Sequence, residues 1–197
     1  MIKNIIFDFG NVIGRFDPDY ICGFYCDKEN IDLFKEVIFE NWADLDAGYI
    51  EYDDYKNSSI EKLPENLKKS GEDFFKDWYT HMPLLEETKE LIKFFKSRGL
   101  KLFLLSNAPQ FFVDRIDYFK EGVENLDDMV FSGPLKIAKP GSEIYLYALK
   151  KFGAKPNETL FLDDKAENVT AARMLGINAL VYKGEAQPVK EWYAVYG

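Results

Sequence analysis

Short apolar runs recur along the chain at wide intervals, each closed by turn formers and separated from the next by a helical pattern. Residues 4–9, 100–105, 159–162 and 179–182 are mostly apolar, at successive positions rather than at alternate ones. Strands read this way when helices cover both faces of a parallel sheet. Residues 129–131 form a shorter run of the same kind. Between these runs, residues 88–97 place Leu91, Ile92, Phe94 and Phe95 at helical spacing, and residues 143–151 and 166–175 do likewise. Gly99, Gly153 and Gly176 follow the three helices, where a left-handed C-terminal cap is expected. The alternation predicts an α/β fold with a doubly wound parallel sheet.

One stretch breaks the alternation. Residues 17–82 separate the first strand from the first regular helix, far more than an ordinary connection. Its patterns are helical, through Ile31, Leu33, Phe34, Val37 and Ile38, then Tyr52 and Tyr55, then Phe74, Phe75 and Trp78. The reading is a core of residues 1–16 and 83–197 with an inserted α-helical domain at 17–82. Phe16-Asp17-Pro18 and Met82-Pro83 are the expected hinges. Charge follows the same division. Residues 17–80 hold 17 acids against seven lysines and no arginine, while the whole chain of 197 residues carries −9. Aromatic residues crowd the same insertion, where a stripe at helical spacing is expected to be its core.

That balance lacks the basic footprint that nucleic acid requires. No apolar run approaches the ~20 residues of a membrane span. The N-terminal run is interrupted by Asp8 and lacks a cleavage-like pattern, so no signal peptide is expected and the expected compartment is the cytoplasm. Cys22 and Cys26 are spaced as neighbours on one helix face and read as reduced thiols. The only histidine, His81, is too distant in sequence to complete a metal site with them and is expected to be structural.

In an open parallel sheet, ligands bind beyond the carboxyl ends of the strands. Asp8-Phe9-Gly10-Asn11 follows the first strand, Ser106-Asn107 the second and Asp163-Asp164 the fourth, with Asn168 one turn further on. Lys139-Pro140-Gly141-Ser142 precedes a helix. Carboxylates converging in one cleft repel one another unless a cation lies among them. Oxygen ligands from Asp8 and Asp164 suit a hard ion such as Mg²⁺. A hydroxyl and a lysine beside them suit an anionic group, the requirement for phosphoryl transfer to a carboxylate.

With these four segments in this order, the chain resembles the haloacid dehalogenase-like superfamily over essentially its whole length. The motifs stand as Ile5-Ile6-Phe7-Asp8-Phe9-Gly10-Asn11-Val12, Leu104-Leu105-Ser106-Asn107, Lys139-Pro140 and Phe161-Leu162-Asp163-Asp164 with Asn168. Asp46-Ala47-Gly48-Tyr49-Ile50 is similar to a turn often found in the superfamily's helical cap. The resemblance implies a Rossmann-like core and a cap over residues 17–82. It implies Asp8 as nucleophile, and Mg²⁺ held by Asp8, the Gly10 carbonyl and Asp164, with Asp163 acting through a water. It further implies Ser106, backbone donors near Asn107 and Lys139 around the phosphoryl oxygens, with Lys139 also catalytic and Asn168 supporting the site from behind.

One departure matters. Most phosphatases of the superfamily carry a second Asp two residues after the nucleophile, which protonates the leaving group and activates water. Here that position is Gly10. Loss of such a group costs on the order of 10²–10⁴ in rate. The Asp-x-Gly-Asn-Val form resembles the branch of epoxide hydrolase N-terminal phosphatase-like domains and sugar-1-phosphatase-like proteins. The expected activity is a Mg²⁺-dependent phosphatase acting on a small phosphomonoester such as a sugar phosphate. Asp17 or a side chain of the cap is a candidate substitute for the missing acid, although an Asp before Pro18 is also an ordinary turn residue. A non-catalytic phospho-ligand or protein-binding relative is the alternative. A 2-haloacid dehalogenase is disfavoured, because such enzymes show Asp-x-Tyr-Gly-Thr at the first motif and an arginine in the cap. The acidic insertion weighs against polyanionic partners. Aromatics such as Trp42 and Tyr49 could stack on a sugar, and Arg15 could touch a ligand near the hinge.

Overall fold

The computed structural model describes all residues from Met1 to Gly197. Five strands, β1 (Asn4–Phe7), β2 (Lys101–Ser106), β3 (Asp128–Phe131), β4 (Thr159–Asp163) and β5 (Asn178–Val181), form one parallel sheet in the order β3-β2-β1-β4-β5. β1 lies at the centre, and the chain winds outward on both sides of it. The expected strands are all present, including the short one at 128–131.

Successive side chains point to opposite faces, so register decides which residues meet. Ile5 stands level with Leu102 and Leu160, and Phe7 with Leu104 and Leu162. These face α6 (Glu86–Lys96) and α12 (Ala186–Tyr196). Ile6 stands level with Phe103 and Phe161 and faces α10 (Ser142–Phe152) and α11 (Ala166–Met174). Both faces are therefore dry, the reason the strands read as unbroken apolar runs. Gly99, Gly153 and Gly176 adopt positive φ of 76°, 62° and 79°, ending α6, α10 and α11 as the sequence predicts. The sequence reading did not assign the C-terminal α12.

From Pro18 to His81 every element of the chain is helical. It forms α1 (Pro18–Cys22), α2 (Ile31–Phe39), α3 (Trp42–Asp46), α4 (Tyr52–Lys62) and α5 (Lys68–Asp77), joined by 3₁₀ turns. Phe34, Phe74, Phe75 and Trp78 are fully or almost fully buried at its centre; Phe74 meets Phe34 and Phe75 edge to face and stacks with Trp78. This aromatic cluster is continuous with the apolar layer beneath the sheet through Phe112 and Phe119. The two connections run side by side, with Leu85 N–H donating to Ile13 O and Arg15 N–H to Pro83 O, both at 2.9 Å. Asp17 caps α1 by accepting from Tyr20 N–H at 3.1 Å and pairs with Arg15 at 2.5 Å. His81 stacks on Phe24 with ring centroids 3.8 Å apart. Cys22 is buried and Cys26 half-buried, both as free thiols, and burial pushes the Cys22 thiol up to about 12.

Three short helices complete the chain, α7 (Gln110–Val113), α8 (Lys120–Val123) and α9 (Ser132–Leu135). α3 seats on α9 at the carboxyl edge of the sheet. The buried Ser132 hydroxyl donates to the Asp46 carbonyl, and Ala108 N–H donates to the same hydroxyl at 2.9 Å. Gly48 follows with φ of 74°, and a Cβ there would collide with the Gly133 backbone. Gly48→Ala therefore meets both a strained φ and a steric clash. We expect it to lower stability by about 1–3 kcal/mol in urea unfolding; an unchanged midpoint would mean that the turn does not seat on α9.

Candidate active site

The loops after β1, β2 and β4 lie at the same edge of the sheet and meet α3 around a cavity of about 130 Å³. Its lining includes Asp8, Gly10, Ser106, Asn107, Lys139, Asp164 and Asn168. Residues far apart in sequence thus share one cleft. Asp163 lies directly behind it, fully buried.

Lys139 is the hub. Its ammonium donates to Asp8 Oδ1 at 2.8 Å, Asp163 Oδ2 at 2.7 Å and the Leu105 carbonyl at 2.9 Å. All three protons are used and the side chain is 1% exposed. Burial alone would lower its pKa, but the Asp8 and Asp163 charges outweigh that and hold it above the ordinary lysine value. Asn107 fixes the lysine's backbone from both sides, donating to the Lys139 carbonyl at 2.8 Å and accepting from Lys139 N–H at 2.9 Å. Its side chain is thereby committed. The Ser106 hydroxyl faces the Asn107 carbonyl at 3.5 Å, the outer limit of hydrogen bonding, so it remains available to a ligand.

Asp163 is saturated by protein. Oδ1 accepts from Lys165 N–H at 2.8 Å and from the Asn168 amide at 3.0 Å, while Oδ2 accepts from that same amide and from Lys139. The carboxylates of Asp8, Asp163 and Asp164 each place an oxygen within 4.8 Å of the others. Burial raises Asp8 to about 6, with the Asp163 charge adding to the rise and Lys139 opposing it. Burial likewise raises Asp164, with Asp163 again adding to the effect. Three crowded carboxylates with one buried ammonium leave surplus negative charge at an all-oxygen donor set. A hard divalent cation fits such a set.

Sequence reasoning passed over several contributors. Asn11 takes φ of 54°, and from that turn its side-chain Nδ2 donates to Asp164 Oδ2 at 3.1 Å while its Oδ1 accepts from Phe16 N–H at 2.9 Å. An Asn directly after the glycine was the available signal, since Asn tolerates the left-handed region. Lys165 and Asp46 also line the cavity, and Phe16, Trp42, Trp78, Met82 and Phe112 form its apolar wall. Trp42 therefore belongs both to the helical core and to the cleft. Tyr49 is 65% exposed, and neither it nor Arg15 lines the cavity. Asp17 lies outside the lining too; the Tyr20 N–H and Arg15 lower its pKa, so it is an anionic cap and not a store of protons.

The profile of the haloacid dehalogenase-like hydrolases matches residues 2–176. A D-ribitol-5-phosphate phosphatase of Bacteroides thetaiotaomicron is 29% identical, the match covering 89% of each chain. The sesquiterpene phosphatase astK of Aspergillus oryzae is 28% identical over 90% of this chain and 88% of its own. Among solved structures, a HAD family enzyme of Bacteroides thetaiotaomicron in complex with magnesium and inorganic phosphate has the same fold. It superposes with a TM-score of 0.69 at 24% identity, covering 93% of this chain and 96% of that one. The chain belongs to the haloacid dehalogenase-like hydrolases.

Proposed function

We propose that this phosphatase removes the phosphoryl group from a small phosphorylated metabolite, a sugar phosphate in particular, through an aspartyl-phosphate on Asp8. The observation that carries the reading is the Lys139 ammonium shared between Asp8 and Asp163 at the mouth of the sheet. It holds one Asp8 oxygen in place and leaves the carboxylate facing the cavity as a nucleophile. Ser106, Lys139 and the main chain at Asn107 hold the phosphoryl oxygens. Asp8, the Gly10 carbonyl and Asp164 would hold Mg²⁺, with Asn11 steadying Asp164. Bound there, the ion supplies positive charge to the phosphoryl oxygens. Asp163, which in the sequence reading acts through a water, keeps Lys139 charged and placed, and Asn168 fixes Asp163. Residues 17–82 serve as the cap over a core of residues 1–16 and 83–197.

Support for a sugar phosphate comes from the size of the cavity, from tryptophan faces suited to stacking on a sugar ring, and from the relative named for D-ribitol 5-phosphate. The apolar wall favours a second reading, a compact isoprenoid-like phosphate, in keeping with the relative named as a sesquiterpene phosphatase. A panel of pentitol, hexose and short prenyl phosphates, assayed for phosphate release with and without Mg²⁺, separates the two. Metal-dependent turnover supports the phosphatase reading. A folded protein that binds Mg²⁺ and turns over none of the panel would instead be a phospho-ligand-binding relative.

Metal binding should depend on pH with a definite sign. Asp8 holds its proton up to about 6, and a ligand carboxyl must lose that proton to bind the ion. Mg²⁺ affinity in calorimetry is expected to be constant above that pH and to fall as pH drops through it. Affinity that stays flat down to pH ~4, the ordinary carboxylate range, would show that Asp8 is not a ligand.

A further inference from the structure

Gly10 leaves the cleft without a proton donor at its usual place, yet the chemistry still requires one for any ester whose leaving oxygen is basic. The titratable residues lining the cavity are Asp8, Asp46, Lys139, Asp164 and Lys165. Asp8 is the nucleophile, Asp164 is engaged by Asn11, and Lys139 has no proton to spare. Lys165 is a cation suited to holding an anionic phosphoryl group as a point charge. Asp46 remains. It ends α3, one turn beyond Trp42, and reaches the cleft from the helical cap.

Its position is built, not incidental. Ser132 holds the Asp46 carbonyl, and the glycine two residues on lies so close to Gly133 that no side chain would fit between them. α3 is thereby tied to the carboxyl edge of the sheet at the very residue that faces the site. We propose that the Asp46 carboxyl is the general acid and base of this enzyme, supplied by the cap in place of the missing carboxyl at position 10. The inference rests on the phosphatase reading.

Burial favours the protonated form of this carboxyl and raises its pKa well above the ordinary value; Lys165, Lys139 and a hydrogen bond from Trp42 oppose the shift and Asp8 reinforces it. Tyr55 of α4 also faces it, as a neutral phenol that burial holds protonated. Lys136, beside α9, is paired with Glu51 at 3.7 Å. In the first half-reaction an Asp8 oxygen bonds to phosphorus and the bond from phosphorus to the leaving oxygen breaks. That oxygen keeps the bonding pair and takes the Asp46 proton, departing as an alcohol. In the second half-reaction the Asp46 carboxylate takes a proton from water as the water oxygen attacks phosphorus. The bond to Asp8 breaks, and inorganic phosphate and the Asp8 carboxylate are regenerated.

The test compares kcat/KM for an alkyl phosphate and for p-nitrophenyl phosphate in the wild type and in Asp46→Asn. The ratio kcat/KM reports the steps through departure of the leaving group, and nitrophenolate departs without needing a proton. Asp46→Asn is expected to lose about 100-fold or more on the alkyl ester and less than about tenfold on the aryl ester. It should also lose the fall in kcat/KM at high pH that the wild type shows as Asp46 ionises. The aryl activity shows in the same assay that the variant is folded. A second variant restores the acid at its familiar place. A Cβ at Gly10 meets only Phe16 Cβ at 3.8 Å, so Asp46→Asn with Gly10→Asp is expected to recover about tenfold or more on the alkyl ester. Equal losses on both esters would overturn the proposal and assign Asp46 to substrate binding, leaving the phosphatase reading intact. A wild type inactive on both esters would overturn the two together.

Discussion

Asp8→Asn is expected to abolish phosphate release while leaving the protein folded. The amide keeps the shape of the carboxylate, and Lys139 retains Asp163 and the Leu105 carbonyl as partners. The ammonium is therefore never left buried without a counter-charge, and the packing around it need not move. The proposed nucleophile is lost outright, because an amide oxygen does not form the acyl phosphate. The decrease in kcat should be at least about 10⁴, as when a covalent nucleophile is deleted elsewhere. Phosphate release at saturating Mg²⁺, with a thermal melt as the control for folding, measures it. Residual activity within about tenfold of the wild type would mean that water attacks the substrate directly and that Asp8 merely binds.

Lys139→Met should fail differently, through stability as well as chemistry. Removing the ammonium leaves the Asp8 and Asp163 carboxylates facing one another, with Asp163 fully buried and Asp8 nearly so. Breaking a buried ion pair from one side typically costs about 3–5 kcal/mol. For a chain of this length that corresponds to a fall in Tm of roughly 6–20 °C. The pH dependence follows from Asp8. Its pKa is about 6 in the folded wild type, against an ordinary 3.8. The stability drawn from that difference is full below the ordinary value and is lost as pH rises through about 6. Without the Lys139 charge to oppose it, the folded value rises further. The variant should therefore recover towards the wild type as the solution is acidified and fall furthest behind it at neutral pH. Melts at pH 5 and pH 8 decide the matter: an equal deficit at both would show that lost packing, and not unpaired charge, is what the lysine prevents.

The loops that carry the chemistry were legible in the sequence because each follows a strand whose pattern is unambiguous. Asp8, Ser106 and the Asp163-Asp164 pair could be placed at one edge of the sheet without coordinates, since a parallel doubly wound sheet puts those strand ends together. The partners that shape the site were less legible. Lys139 belongs to a loop before a helix, and nothing local shows that it reaches both Asp8 and Asp163. Main-chain donors near Asn107 were expected beside the phosphoryl group, but nothing local shows that the Asn107 side chain is spent on the Lys139 backbone. His81 and Phe24 lie far apart in sequence and stack in space.

Asp46 is the clearest case. The sequence shows it as the start of a turn in an acid-rich insertion, where one carboxylate resembles the next. What sets it apart is a hydrogen bond from Ser132, 86 positions away, and the close approach of two glycines on different elements. Such tertiary contacts leave no periodic trace. The aromatic stripe shows the same limit, since its spacing marks a helical core but does not reveal that Trp42 and Trp78 also wall the cleft.

The most direct test of the account is a rapid-quench experiment with a ³²P-labelled sugar phosphate in the presence of Mg²⁺, followed by proteolysis and mapping of the label. The account predicts a transient, hydroxylamine-sensitive label on the peptide containing Asp8, absent from Asp8→Asn and formed at least as fast as phosphate is released. Label on any other residue, or full phosphate release by Asp8→Asn, would contradict it.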